Sequence, residues 1–233
     1  MRLSRSKIEL FIKCPRCFYF DVIHKIKQPG GLPFTLNSEV DRLLKKEFDH
    51  HRLKRRPHPL MTAYGIKAVP YVNENLDKWR NNFKGLSFYH PQTGIEFFGA
   101  VDDIWIGQDH KLIVIDYKST AKEGEVELTT SPWHQAYKRQ MEIYQWLLAN
   151  NGFEVSNTGY FVYVNGRTDK EAFDAKLEFK VKIIPYLGHW DWIEGAIAQL
   201  AQTLKSDQLP PPNPDCDFCR YRSKTSRYEI DGI

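Results

Sequence analysis

The sequence lacks any long apolar segment: no run of apolar residues reaches the roughly 18 that indicate a membrane-spanning helix. Its first residues, Met1-Arg2-Leu3-Ser4, do not begin a signal peptide, so we expect a soluble, cytoplasmic protein that does not contact a membrane. A glycine-rich phosphate loop and helicase motifs are also missing, so ATP is not implied. The eight histidines show no metal-ligand spacing such as H-x-x-x-H.

Cysteine is scarce, and the four cysteines form two Cys-x-x-Cys pairs. Cys14 and Cys17 lie near the amino end, and Cys216 and Cys219 lie near the carboxyl end. Two such pairs supply four thiolates, which suit either zinc or a [4Fe–4S] cluster, and their spacing does not distinguish the two. Disulfides are disfavoured in the cytoplasm. The cysteines therefore predict a metal clamp that joins the two ends of the chain.

The composition is that of a globular protein, with 42% hydrophobic and 14% aromatic residues in 233 residues. This length suits one α/β domain. We predict a single domain over residues 1–233, with a core at about 36–205 and the cysteine clamp contributed by 14–17 and 216–219.

The net charge of +4 is modest, but basic residues concentrate between Arg42 and Arg56. Such a stripe fits contacts with the phosphates of a nucleic acid. An ordinary solvated helix face followed by a loop explains it equally well. The predicted nucleic-acid contacts are Lys45, Arg52, Lys54, Arg55 and Arg56.

Acidic residues interrupt an apolar β-hairpin between Gly99 and Ser119. If the turn centres near Gln108 and Asp109, Asp102 falls almost opposite Asp116, and opposed side chains lie about 5 Å apart. Two carboxylates that close repel each other unless a cation lies between them. Lys118 follows Asp116 by two residues and so shares its face of the strand. These three residues predict a divalent-metal hydrolytic site, although a solvated strand edge with a neutralising lysine is the plainer alternative.

Hydrophobic spacing and turn residues predict helices that alternate with strands. The predicted helices are 6 to about 14, 36 to about 51, 71–83, 132 to about 150 and 190–204, and the strands are 87–90, 95–106 (bent or broken around Gly99), 111–118, 158–164 and 177–184. The strand at 158–164 is expected to be parallel to its predecessor through the helix between them.

Three motifs together resemble the PD-(D/E)XK nuclease superfamily, in its RecB-like branch. They are Gly99 to Asp102, then Asp116 to Lys118, then Gln140 with Tyr144 on a helix. This branch includes nuclease domains of recombination helicases and iron–sulfur nucleases of CRISPR adaptation. The resemblance implies an α/β fold of the restriction-endonuclease type, with a central mixed β-sheet flanked by helices.

The resemblance also implies roles for individual residues. Asp102, Asp116 and the backbone carbonyl of Tyr117 would bind Mg²⁺ or Mn²⁺, and Lys118 would polarise the attacking water. Gln140 and Tyr144 would contact DNA or position the lysine. Asp41 stands where the branch usually has a histidine ligand on an early helix, with Glu39 as another candidate for that position.

The cysteines depart from the pattern of the iron–sulfur nucleases, which have one early and three late cysteines. Here Cys17 replaces a late cysteine, which makes zinc a serious rival to the cluster. We nevertheless expect a [4Fe–4S] cluster, with Zn²⁺ as the alternative.

The resemblance implies a metal-dependent DNA nuclease that acts as an exonuclease on single strands or duplex ends. Its setting would be DNA repair, recombination or CRISPR adaptation, with a helicase or another subunit as a partner. The alternatives are a catalytically inactive nucleic-acid-binding module and a zinc-stabilised structural subunit of such a complex.

Overall fold

The computed structural model describes residues 1–31 and 34–230. Its helices are α1 (Arg5–Lys13), α2 (Pro15–Val22), α3 (Thr35–Leu53), α4 (Pro59–Ala63), α5 (Leu76–Trp79), α6 (Pro132–Asn150), α7 (Trp192–Lys205) and α8 (Asp217–Ile230). Its strands are β1 (Arg2–Ser4), β2 (Ala68–Pro70), β3 (Leu86–His90), β4 (Ile95–Gly99), β5 (Asp103–Gly107), β6 (Leu112–Thr120), β7 (Thr158–Gly166) and β8 (Phe179–Leu187). None of the helices in this described part is both long and apolar enough to cross a membrane.

The described chain divides into two compact units. Unit 1 comprises the described parts of Met1–Leu32, Tyr89–Phe97 and Asp191–Ile233, and unit 2 those of Pro33–Phe88 and Phe98–Trp190. The single domain predicted for residues 1–233 stays a prediction.

Unit 2 is built on a five-stranded mixed sheet in the order β2-β5-β6-β7-β8. β6 and β7 are parallel and α6 connects them, whereas the other neighbours are antiparallel. The predicted fold class, a mixed sheet with flanking helices, is confirmed. So is the predicted parallel pairing, which follows because parallel strands need a long crossover connection.

Helix α3 covers one face of this sheet through an apolar stripe that includes Leu44 and Phe48. These side chains pack against Trp105 of β5 and Tyr117 of β6, with ring centroids 5.4 Å and 5.7 Å from Phe48. Burial of aromatic rings is a major source of stability in such a core. The packing fixes α3 over the strands that carry Asp102 and Asp116.

Helix α6 lies close to the sheet at Gly159 of β7. A Cβ atom at this position would stand 2.4 Å from the Met141 sulfur and 2.9 Å from the Val114 carbonyl oxygen. No side chain fits such a gap, so glycine allows the close approach. Ser131 caps the start of α6 by accepting a hydrogen bond from the His134 N–H, and Pro132 occupies its first position.

Unit 1 contains α1, α2, α7 and α8 together with β1. Its buried side chains include Ile8, Phe18 and Ile197, and α1 and α2 both contact α7. Within this unit the four cysteines bring the amino- and carboxyl-terminal segments together, as the predicted clamp requires.

The sequence prediction was wrong about the helix at 71–83, because only Leu76–Trp79 is helical there. Asn73 and Asn81 accept hydrogen bonds from nearby backbone N–H groups on either side of this turn, and such bonds compete with a helix. The short elements α2, α4, β1 and β2 and the helix α8 were not predicted.

Candidate active site and cysteine tetrad

Asp102 and Asp116 occupy facing positions at one end of the β5–β6 hairpin. The register pairs Asp103 with Ile115 at the outer end of the ladder, and extending it by one position places Asp102, just before β5, beside Asp116. This agrees with the register predicted from the turn. Asp116 is fully buried, whereas the Asp102 side chain is 20% exposed to solvent. The two carboxylates thus lie where the sheet surface meets solvent.

Lys118 shares the strand face of Asp116, and its ammonium forms an ion pair with that carboxylate. The ammonium also lies 4.6 Å from the centroid of the Tyr137 ring. Burial lowers the pKa of Lys118, but the charges of Asp116 and Asp102 outweigh it and raise the pKa above its ordinary value. Lys118 is therefore a cation at neutral pH and is suited to stabilise negative charge rather than to accept a proton.

Two hydrogen bonds fix the position of Asp102, one to its side chain and one to its backbone carbonyl. The Tyr117 N–H donates a hydrogen bond to Asp102 Oδ2 at 3.1 Å, and Arg80 Nε donates to the Asp102 carbonyl oxygen at 3.0 Å. In a strand the N–H and C=O of one residue point to the same side, so the Tyr117 carbonyl points toward the side of Asp102. This is the group that the family resemblance implies as a metal ligand.

Helix α3 adds a third carboxylate, Asp41, and a second ammonium, Lys45. Lys45 Nζ lies 2.7 Å from Asp41 Oδ2 and 3.2 Å from Asp102 Oδ1. Burial and the charge of Asp102 raise the pKa of Asp41, although Lys45 partly opposes the shift. Burial lowers the pKa of Lys45, but Asp102 and Asp41 together raise it. Asp41, Asp102 and Asp116 are called the carboxylate cluster below.

Gln140 and Tyr144 lie one turn apart on α6. Gln140 Nε2 donates a hydrogen bond to the Tyr144 hydroxyl at 3.2 Å, and Tyr144 is 3% exposed. Tyr137, whose ring Lys118 faces, was predicted to share a helix face with Tyr144 but was not predicted to be a site residue.

A buried ion network lies next to the cluster and was not predicted. Asp103, fully buried, pairs with Arg52 and with Arg80 at 2.9 Å, and accepts a hydrogen bond from the Tyr117 hydroxyl at 2.8 Å. Asp49 completes it by pairing with both arginines. Burial and the charge of Asp103 raise the pKa of Tyr117, so its phenol stays protonated and donates.

This network corrects the prediction for Arg52. Its side chain is only 8% exposed, and the guanidinium is engaged by Asp103, Asp49 and the Tyr71 carbonyl oxygen. A guanidinium held in this way cannot also bind a phosphate in solvent. Lys45 likewise lies in the carboxylate cluster rather than on a free basic surface.

The other predicted basic residues, Lys54, Arg55 and Arg56, are exposed directly after α3. They follow the last residue of α3, Leu53, which lies about 18 Å along the helix axis from Asp41, given a rise of about 1.5 Å per residue. They are accessible to a nucleic-acid strand but do not touch the cluster.

The chemistry of the carboxylate cluster fits a hard divalent cation. Asp102 and Asp116 face each other and offer oxygen ligands alone, and Mg²⁺ and Mn²⁺ prefer such ligands. Lys118 and Lys45 compensate part of the negative charge. One divalent cation between Asp102 and Asp116 would more than offset the single negative charge that remains.

The four cysteines of unit 1 are free thiols, and each sulfur lies within 4.8 Å of every other. Cys17 Sγ is 3.5 Å from Cys219 Sγ and 3.6 Å from Cys216 Sγ, and Cys14 Sγ is 3.6 Å from Cys219 Sγ. We call this group the cysteine tetrad. Four thiolates so arranged could bind zinc or an iron–sulfur cluster.

Comparisons with known proteins gave one family match and two similar solved structures. The family model described as the PD-(D/E)XK nuclease superfamily matches residues 33–224. A candidate exonuclease from Eubacterium rectale matches in structure with a TM-score of 0.45 and 13% identity, covering 94% of this chain and 86% of its own. The structure of SSO0001 matches with a TM-score of 0.43 and 14% identity, covering 95% and 84%. No curated protein sequence matches significantly. The family match includes the whole carboxylate cluster.

Proposed function

We propose, because this chain belongs to the PD-(D/E)XK nuclease superfamily, that it is a metal-dependent deoxyribonuclease whose active site is the carboxylate cluster of unit 2. The observation that carries the proposal is the facing pair Asp102 and Asp116 with Lys118 bound to Asp116. The RecB-like motifs favour an exonuclease that acts on single strands or duplex ends. DNA repair, recombination or CRISPR adaptation remain the proposed settings, with a helicase or another subunit as a proposed partner.

Asp102, Asp116, the Tyr117 carbonyl and Asp41 of α3 would hold Mg²⁺ or Mn²⁺. When bound, the cation would supply an activated water and charge compensation at the phosphate. The Lys118 ammonium lies on the same side of the strand as Asp116. Its positive charge would stabilise the negative charge that develops on the phosphate oxygens. Tyr137 and Asp116 hold the ammonium in place.

Gln140 and Tyr144 would act beside this centre. Their mutual hydrogen bond holds the Tyr144 phenol in place and leaves the Gln140 carbonyl oxygen to accept a further bond. We propose that they position the lysine or contact the DNA strand. Lys54, Arg55 and Arg56 would contact phosphates farther along that strand.

Cleavage of end-labelled DNA tests the proposal. We expect linear single-stranded DNA or duplex ends to be degraded with Mg²⁺ or Mn²⁺ and to stay intact with EDTA, whereas closed circular single-stranded DNA should resist an exonuclease. Asp116→Asn should remove the activity, and Asp207→Asn, at an exposed position, should retain it. Cleavage that persists in EDTA would contradict the metal-dependent mechanism.

A second candidate function is a nucleic-acid-binding module without activity. The presence of the Lys45 ammonium between Asp41 and Asp102 favours it, because a lysine there competes with a metal ion. Fluorescence anisotropy would measure DNA binding by the folded protein. If the protein binds DNA but does not cleave it in Mn²⁺, this candidate would be supported instead.

For the cysteine tetrad we propose one zinc ion rather than the cluster expected from the resemblance. Zinc–sulfur bonds of about 2.3 Å put the sulfurs of a tetrahedral site about 3.8 Å apart. Three of the six sulfur pairs are 3.5–3.6 Å apart, and every pair lies within 4.8 Å. In a [4Fe–4S] cluster each thiolate binds a different iron, so the sulfurs spread around the cluster.

Metal analysis of the purified protein is expected to give one zinc per chain and no iron–sulfur absorption band. Cys219→Ser should lose the zinc and lower the melting temperature, because the ion closes a loop between residues 14 and 219. The matched change Ser223→Ala, at an exposed position of the same helix, should retain both. Iron with inorganic sulfide in anaerobically prepared protein would establish the cluster instead.

A further inference from the structure

Two helices of unit 2 begin beside the end of β6, the strand that carries Lys118. On α3, Asn37 Nδ2 donates a hydrogen bond to the Ser119 carbonyl oxygen at 3.0 Å. On α6, the centroid of the Tyr137 ring lies 4.6 Å from the Lys118 ammonium. Tyr117 packs against α3, and successive side chains of a strand point to opposite faces, so the two helices approach this strand end from opposite faces of the sheet.

Each of these two helix starts carries an exposed aromatic ring one turn before the residue that contacts β6. Trp133 precedes Tyr137 by four residues and is 71% exposed, and Phe34 precedes Asn37 by three residues and is 77% exposed. Residues three or four apart share one side of a helix, so each ring lies on the side of its helix that meets β6. Single exposed apolar side chains are common on protein surfaces, but here two rings flank the strand end of the proposed active site.

Exposed rings at such a place suit the bases of an unpaired nucleic-acid strand. Proteins that bind single strands without sequence preference stack successive bases on aromatic side chains, because every base has a π face. The bases of a duplex are already stacked on their neighbours, and unstacking them costs free energy. The two rings therefore favour an unpaired strand over an intact duplex.

A positive charge lies beside the first turn of α6 as well. Lys138 Nζ donates a hydrogen bond to the Thr129 carbonyl oxygen at 3.2 Å, and the Nδ1 atom of His134 lies 2.8 Å from the Thr129 hydroxyl oxygen. Thr129 thus links this ammonium to the residue that follows Trp133. An ammonium in this position is suited to contact a phosphate of a strand whose bases stack on the ring.

We propose that Trp133 and Phe34 stack on the bases of an unpaired DNA strand at the end of β6, so that the site acts on a duplex only where its end has opened. This inference rests on the proposed function, which leaves the choice between single strands and duplex ends open. Both residues determine specificity: they hold the strand beside Lys118 and do not take part in the hydrolysis itself.

Binding to a normal and to an abasic single strand of equal length tests the proposal without measuring activity. Fluorescence anisotropy in EDTA, where no cleavage is expected, gives both affinities. The abasic strand keeps its phosphates but offers no base to stack, so the wild type should bind it at least about tenfold more weakly. Trp133→Leu keeps an apolar side chain without a ring and should bind the normal strand about tenfold more weakly, with its affinity for the abasic strand unchanged.

Trp133→Phe is the matched control, because it keeps a flat ring and should retain most of the affinity for the normal strand. Phe34→Leu should reproduce the selective loss seen with Trp133→Leu. In Mn²⁺, Trp133→Leu should raise the KM for linear single-stranded DNA and leave kcat close to that of the wild type.

Two outcomes would overturn this inference. The first is equal affinity of the wild type for the two strands, including no binding of either. The second is an equal loss of affinity for both strands in a folded Trp133→Leu variant, which would mean that the ring does not act on the bases. Neither outcome bears on the nuclease proposal, which cleavage by the wild type in Mn²⁺ tests on its own.

Discussion

Lys118→Ala is expected to slow DNA cleavage by about 100- to 1,000-fold, the loss typical when one preorganised charge or donor is removed from a transition state. The ammonium forms an ion pair with Asp116 and faces the Tyr137 ring, so its position is set before a substrate binds. The raised pKa of Lys118 keeps it charged at neutral pH, so the effect should vary little between pH 7 and 9.

The measurement is the single-turnover cleavage rate of linear single-stranded DNA in saturating Mn²⁺. Lys111→Ala, at an exposed position before the same strand, serves as the matched control and should cleave at the wild-type rate. Lys118→Arg should keep part of the activity because it keeps the charge. Thermal unfolding in Mn²⁺ checks that the variants are folded, and wild-type rates from a folded Lys118→Ala would refute the assigned role.

Asp103→Asn is expected to lower the free energy of unfolding by about 3–5 kcal/mol, the usual cost of removing one partner from a buried ion pair. Asp103 is fully buried and engages Arg52, Arg80 and the Tyr117 hydroxyl. The amide keeps the size of the side chain but removes its charge, which leaves two buried guanidiniums to share Asp49 alone.

Urea denaturation followed by circular dichroism measures this change. Asp207→Asn, the same substitution at an exposed position, should alter the free energy of unfolding by less than about 0.5 kcal/mol. A loss below about 1 kcal/mol for Asp103→Asn would show that the network contributes little. Because Arg80 also holds the Asp102 carbonyl oxygen, we expect cleavage to decrease in the same variant.

The sequence by itself determined the framework of the site. The turn at residues 107–110 and the apolar flanks of the hairpin were enough to place Asp102 opposite Asp116, because register follows from the turn and the period of two. The two Cys-x-x-Cys pairs predicted a clamp between the chain ends, and the four sulfurs do cluster in unit 1. The long helices α3 and α6 followed from strong apolar periodicity.

Only the tertiary structure decided which charged residues serve which purpose. Lys45 and Arg52 both belong to one basic stretch of sequence, yet one lies among the carboxylates and the other is buried against Asp103. The two side chains have different partners because they lie at different positions around α3 relative to β5. Apolar periodicity predicts which residues of a helix are buried, but it does not predict the partners of charged residues. Asp103, next to Asp102, points to the opposite face of its strand and so joins a buried network instead of the site. Charged side chains acquire their roles from partners distant in sequence, and those partners meet only when the sheet and α3 are packed together.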